Sequence, residues 1–82
     1  MKSKTLQAIN PKHQTLVNRC VSWLNKYNEF NRLRNIADGI DGNDKAVQKW
    51  ENKCEYAFNK YLEYADELQQ RQLDRIDKFI YE

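Results

Sequence analysis

The chain has 82 residues, 40% of them hydrophobic and 32% charged, with a formal net charge of +2. That length holds one small domain with little stability to spare, and this balance excludes both a disordered tail and an integral membrane protein. No apolar run approaches the roughly 20 residues that cross a bilayer and no signal-peptide core opens the sequence, so a cytosolic protein is expected.

Two glycines and one proline leave almost nothing to punctuate strands and turns. The expected fold is all-α, a single domain over 1–82 arranged as a small helical hairpin or three helices with a long C-terminal helix. Residues 1–10 form a basic lead segment whose Leu6 and Ile9 suit a short docked helical turn. Asn10-Pro11 is a helix start: the Asn side chain caps first-turn N–H groups, and proline at the first position needs none of its own. From there Leu16, Val17, Cys20, Val21, Leu24 and Tyr27 recur at helical spacing. The stripe then changes side. Asn25, Asn28, Asn31 and Asn35 continue the old face while Trp23, Phe30, Leu33, Ile36 and Ala37 lie toward the other. Either the 11–37 helix splits near 28–31, where asparagine is a poor interior residue, or it stays whole and meets different neighbours along its length.

Residues 38–43 are the turn, with Gly39 suited to a left-handed C-cap and Asp41 or Asn43 to the next N-cap. The second helix is expected from 44 to 80. Its stripe runs Val47, Trp50, Cys54, Ala57, Phe58, Tyr61, Tyr64, Ala65, Leu68, Ile76 and Phe79, and Gln72 is the polar interruption. Pairs such as Glu67–Arg71 and Asp74–Lys78 support its solvent side. Such a helix is roughly 55 Å long against roughly 40 Å for 11–37. About ten residues would overhang, exposing Leu73, Ile76, Phe79, Ile80 and Tyr81 to the lead segment, a second copy or a partner.

Charge is uneven. Residues 1–37 hold seven basic side chains against one acid, whereas 38–82 hold seven against eleven, giving +6 and −4. The two halves attract each other on packing, and the first could also face an acidic partner.

Known chemistry finds little footing. Calcium-loop registers from Asp38 or Asp41 place Ile40 or Lys45 where an acid is needed and Lys49 or Asn52 at the twelfth position. His13, Cys20 and Cys54 lack close ligand spacing. The cysteines read as small buried hydrophobes, with a bridge between them left open. Glu51/Glu55 and Glu63/Glu67 have the spacing of a carboxylate site but lack Glu-x-x-His partners. No catalytic or phosphate-binding motif is present, so neither enzyme activity nor a cofactor or metal is expected. Trp23, Lys26, Tyr27, Phe30, Arg32 and Arg34 interleave bases with aromatics as a nucleic-acid surface does, yet a pI near 8.6 falls short of a strongly basic footprint. Tyr56 lies off the main stripe, and aromatics in such places are favoured interface anchors.

The segments NPKHQTLVNRCVSWLNKYNEF (10–30) and KAVQKWENKCEYAFNKYLEYADEL (45–68), with the abundance of Asn, Lys and Tyr, resemble the rIII lysis-inhibition family of T-even phages over the whole chain. No short diagnostic motif anchors the likeness, and no family binding residue maps onto it. The resemblance implies a cytoplasmic antiholin: a non-enzymatic regulator in the host cytoplasm that binds the cytoplasmic N-terminal part of the phage holin, is recruited to the inner-membrane face and delays lysis. An amphipathic helix in an apolar groove is a suitable contact mode. The expected surface is the overhanging end, Leu73, Ile76, Phe79 and Ile80, with Arg32 and Arg34 as charge partners. Self-association is also expected. The alternative is a nucleic-acid-binding accessory protein using the basic N-terminal half.

Overall fold

The computed structural model describes residues 5–39 and 44–81. A 3-10 turn, Pro11–His13, leads into three helices: α1 (Gln14–Gly39), α2 (Asp44–Ala65) and α3 (Gln70–Tyr81). The fold is all-α, and there is no strand among the described residues.

The entry to α1 follows the local chemistry of Asn10-Pro11. The Asn10 side-chain oxygen accepts the Lys12 N–H at 3.0 Å, and its carbonyl accepts the His13 N–H at 2.8 Å. That second bond spans three residues, so the first turn is tight and regular α-helix begins at Gln14. The lead segment does not make the expected helical turn. Thr5–Ala8 runs without regular structure, Leu6 and Ala8 pack on the core, and two glutamines hold the strand of chain in place. Gln14 accepts the Ala8 N–H and donates to the Leu6 carbonyl, both at 2.9 Å, while the Ile9 N–H donates to Gln72 Oε1 at 2.7 Å.

Helix α1 stays whole through Asn28–Asn31, because two different helices lie against it. Trp23 meets Tyr56, Tyr27 meets Phe58, Phe30 meets Trp50 and Arg34 meets Glu51. As the first number rises the second tends to fall, so α1 and α2 are antiparallel. On a second line, Val17, Val21 and Leu24 lead to Asn28, whose side-chain oxygen accepts the Tyr81 hydroxyl proton at 3.1 Å. Ile9 bonds to residue 72 and Asn28 to residue 81, so α3 runs parallel to α1. The apparent switch of stripe is therefore one straight helix with two buried lines. Gly39 is the last helical residue rather than a left-handed cap beyond it. Positions 40–43, with the caps expected at Asp41 and Asn43, lie outside the described residues.

The helix expected over 44–80 is two helices. The Asp66 N–H still reaches the Leu62 carbonyl, but Glu67 and Leu68 N–H turn to Tyr64 and Ala65, three residues back, and the helix closes. Gln69 then offers its carbonyl to Gln72 and Leu73 N–H to start α3. No glycine or proline marks this break. Asp66 and Glu67 sit where a helix dipole disfavours negative charge, but the larger cause is burial. A straight continuation would carry Leu73, Ile76 and Ile80 past the start of α1. Turning back covers them, at about 1.5–3 kcal/mol for each fully buried side chain, against about 0.5–1.5 kcal/mol for each helix bond given up. Ile76 is completely buried, and Leu73 and Ile80 pack on the cluster of Val17, Cys20, Leu24, Tyr61, Ala65 and Leu68. The break also places Glu67 in the turn, outside the helical pair expected with Arg71.

Gln72 is buried within this arrangement. Its oxygen holds Ile9, while its Nε2 has no partner among the described residues and almost no access to solvent. An orphaned donor of this kind costs about 1–3 kcal/mol, offset here by anchoring the lead segment over α3.

In urea unfolding, Ile76→Ala is expected to lower stability by about 2–4 kcal/mol, as for a fully buried aliphatic. Ile36→Ala, at a residue 46% exposed on α1, should change it by about 0.5 kcal/mol or less. Equal effects at the two positions would contradict the folded-back α3.

Candidate binding surface

The six residues expected to form a partner surface do not come together. Ile76 is core, Leu73 and Ile80 are partly buried against it, and Phe79 is half-buried. The last helix thus packs on α1, with Ile76 buried, Leu73, Phe79 and Ile80 half-buried and Tyr81 exposed. Arg32 points to solvent and pairs with Glu29 one turn away, which holds the Glu29 carboxyl below its usual range and raises the Arg32 guanidinium. Arg34 pairs at 3.2 Å with Glu51 on the α2 side of α1, away from the line that meets α3.

A different surface forms along one side of the α1–α2 hairpin. Trp23, Lys26 and Phe30 recur at helical spacing on α1, as Asn52, Lys53 and Tyr56 do on α2. These six residues line a groove of about 580 Å³. Trp23 and Tyr56 meet edge to face with centroids 5.7 Å apart, and Phe30 stacks on Trp50 at 5.9 Å. Tyr56 remains 57% exposed, a large aromatic left on the surface.

Each ring along this side carries an ammonium group. Lys26 Nζ lies 4.6 Å from the Trp23 centroid, Lys49 5.1 Å from Trp50, Lys53 5.8 Å from Phe30 and Lys60 5.7 Å from Tyr56. The aliphatic stems shield the rings while the charged heads stay in water. At exposed sites such contacts are worth only about 0.5–1 kcal/mol, so a partner can displace them. No carboxylate lines the groove. The interleaving of bases and aromatics along α1 shows in the sequence, as does Tyr56 off the main stripe, but the lysines that flank Tyr56 on α2 were not read with it. The signal of the α2 wall is Lys49, Lys53, Tyr56 and Lys60, one helical face beside the apolar stripe.

A wider hollow of about 770 Å³ at the α2–α3 corner is lined by Leu62, Leu68 and Leu73 with an acidic edge of Glu63 and Asp66. It is an open concavity at the bend, without aromatic walls. The groove has the better-formed recognition chemistry.

Among the described residues, no group of three or more His, Cys, Asp or Glu is placed to hold a metal ion. No helix among the described residues is long and apolar enough to cross a membrane. Cys20 and Cys54 are free, buried thiols at different levels of the hairpin: Cys20 packs in the cluster with Tyr61, and Cys54 lies by Arg34 and Glu51. Burial pushes the Cys20 thiol up to about 11, and burial raises Cys54 and Tyr61 as well. The folded chain holds these protons at pH values where the unfolded chain has released them. Stability present below about pH 9 is therefore lost as pH rises through the folded values. Thermal melts between pH 8 and about 10.5 should show this alkaline loss, reduced by on the order of 1–2 kcal/mol in Cys20→Ala compared with its own neutral-pH value. An unchanged alkaline slope would remove Cys20 from the account.

Set against known proteins, the chain matches no family model, no curated protein and no solved structure.

Proposed function

We propose that this chain is a non-enzymatic regulator that binds a partner protein through the Trp23–Phe30–Tyr56 groove. Its resemblance to the rIII lysis-inhibition family makes the partner the cytoplasmic N-terminal segment of a phage holin. In that role the protein works in the host cytoplasm at the inner-membrane face, holds the holin segment back from assembly and delays lysis. The observation that carries the reading is Tyr56. A large aromatic more than half exposed, edge-on to Trp23 and bordered by lysines, offers wide contact area at little conformational cost. The groove spans about two turns of α1 and about one of α2, which suits a short helical segment laid along it.

A second reading, a nucleic-acid accessory protein, draws on the same lysines. Its weakness is electrostatic and steric: Lys26 and Lys53 already cover the Trp23 and Phe30 rings that would stack on bases, and Glu51 and Glu63 lie on the same helix as the α2 lysines.

Co-purification of the full chain with a tagged holin N-terminal segment tests the proposal. Tyr56→Ala, at an exposed position, should leave the helical spectrum intact, weaken the complex about tenfold or more and shorten the lysis delay in cells expressing both proteins. Intact binding and delay in that variant would remove the groove. The absence of any complex with the wild-type chain would remove the holin as partner.

A further inference from the structure

Resting on the groove as a protein-docking site, we infer that its occupant is an acidic segment: a short amphipathic helix with an apolar row and carboxylates on both flanks. The apolar part follows from the walls. Trp23, Phe30 and Tyr56 present ring edges and faces to the groove, and Trp23 and Phe30 stand seven residues apart, about 10 Å along α1. That distance admits two or three apolar side chains spaced at i, i+3 or i+4 and i+7.

The charge follows from the rims. Lys26 stands on the α1 side and Lys53 on the α2 side, so a positive group borders the groove along each edge. The ion pairs of the hairpin use other cations, namely Arg32 with Glu29, Arg34 with Glu51 and Lys60 with Glu63. Lys26 and Lys53 form no salt bridge among the described residues, and no acid lines the groove. A purely apolar occupant would leave these ammonium groups along its flanks without a counter-charge and gain nothing from them. A basic occupant would add repulsion. Carboxylates on both flanks satisfy the two lysines, lift them from the rings they cover and free the rings for the apolar row.

A nucleic acid would supply negative charge as well. It needs open ring faces for stacking, however, and carries its phosphates onward past Glu51 and Glu63. A peptide confines its carboxylates to its two flanks and needs no open ring faces for stacking. The groove therefore favours peptide carboxylates over a phosphate backbone.

Three probes separate the outcomes in amide NMR titrations of the isotope-labelled full chain. The first is a helical peptide of about three to four turns with Leu and Phe at i, i+3 and i+7 and Glu on both flanks. The second is its twin with Lys in place of every Glu, and the third is oligothymidine. The acidic probe is expected to bind and to shift Trp23, Phe30, Lys53 and Tyr56. Its affinity should fall with added salt and drop about tenfold or more in the Lys26→Glu/Lys53→Glu double variant, which should now prefer the basic twin. Both lysines are solvent-exposed, so the helical spectrum of the variant should match that of the parent. Equal binding of the two peptides would overturn the acidic occupant while leaving the groove as a docking site. No shift with either peptide would overturn both, and preferential binding of oligothymidine would replace the peptide with nucleic acid.

Discussion

The fold depends on the burial of Ile76 against α1. Without that contact α3 loses its most deeply buried side chain, and the chain between Ala65 and Gln70 contains no residue that forces a turn. The bend exists since three aliphatic side chains of α3 find cover on α1 and would find none beyond its end. Leu68, at the corner, belongs to the same cluster and draws the end of α2 inward. Once α3 is seated, Gln72 lies under the lead segment and ties Ile9 to it. The N-terminal chain, the tight entry turn and the last helix thus form one unit at one end of the molecule.

That unit explains the makeup of α1. A helix packed on one neighbour shows a single apolar face, and its polar residues gather on the other. Helix α1 has α2 on the line of Trp23, Tyr27, Phe30 and Arg34, and α3 on the line of Val17, Val21, Leu24 and Asn28. Its apolar residues are spread around the cylinder, and the asparagines fall where neither line needs a large side chain. Asn28 is polar yet useful because it receives Tyr81 at the last described turn of α3. Continuity of α1 is required by both neighbours at once, which outweighs the weak helix preference of asparagine.

The sequence made the helical class legible through its near-absence of glycine and proline, and the start at Asn10-Pro11 through side-chain chemistry that acts within three residues. The Leu68–Gln72–Ile76 spacing showed a buried face, since those positions are buried on either side of the bend. The bend itself was hidden for the same reason: i, i+4, i+8 spacing reads as one helix whether or not the axis turns between its members. Length alone hinted at it, as the surplus apolar residues needed cover. Folding the end back buries Ile76 and half-buries Leu73, Phe79 and Ile80, while the aromatic groove lies on the hairpin side. Part of that surface was visible as Trp23, Lys26 and Phe30, and as Tyr56 off its helix's stripe. The rest requires knowing which residue of α2 lies opposite, a matter of tertiary register that local periodicity does not carry.

Helix α3 has 12 residues and covers α1 only as far as Asn28. Beyond that point the molecule is two helices thick, and a two-helix layer cannot enclose its aromatic residues. Phe30 and Trp50 therefore stack on each other, and lysine stems cover what the stack leaves open. Aliphatic side chains in the same places would have needed a third helix, whereas aromatics tolerate partial exposure because their rings pair in defined geometry. Lysine stems are also a replaceable cover: they leave when a better counter-charge and a drier surface arrive together. The shortness of α3 divides the molecule into a three-helix end that holds the fold and a two-helix end whose aromatic stack is covered by lysine stems.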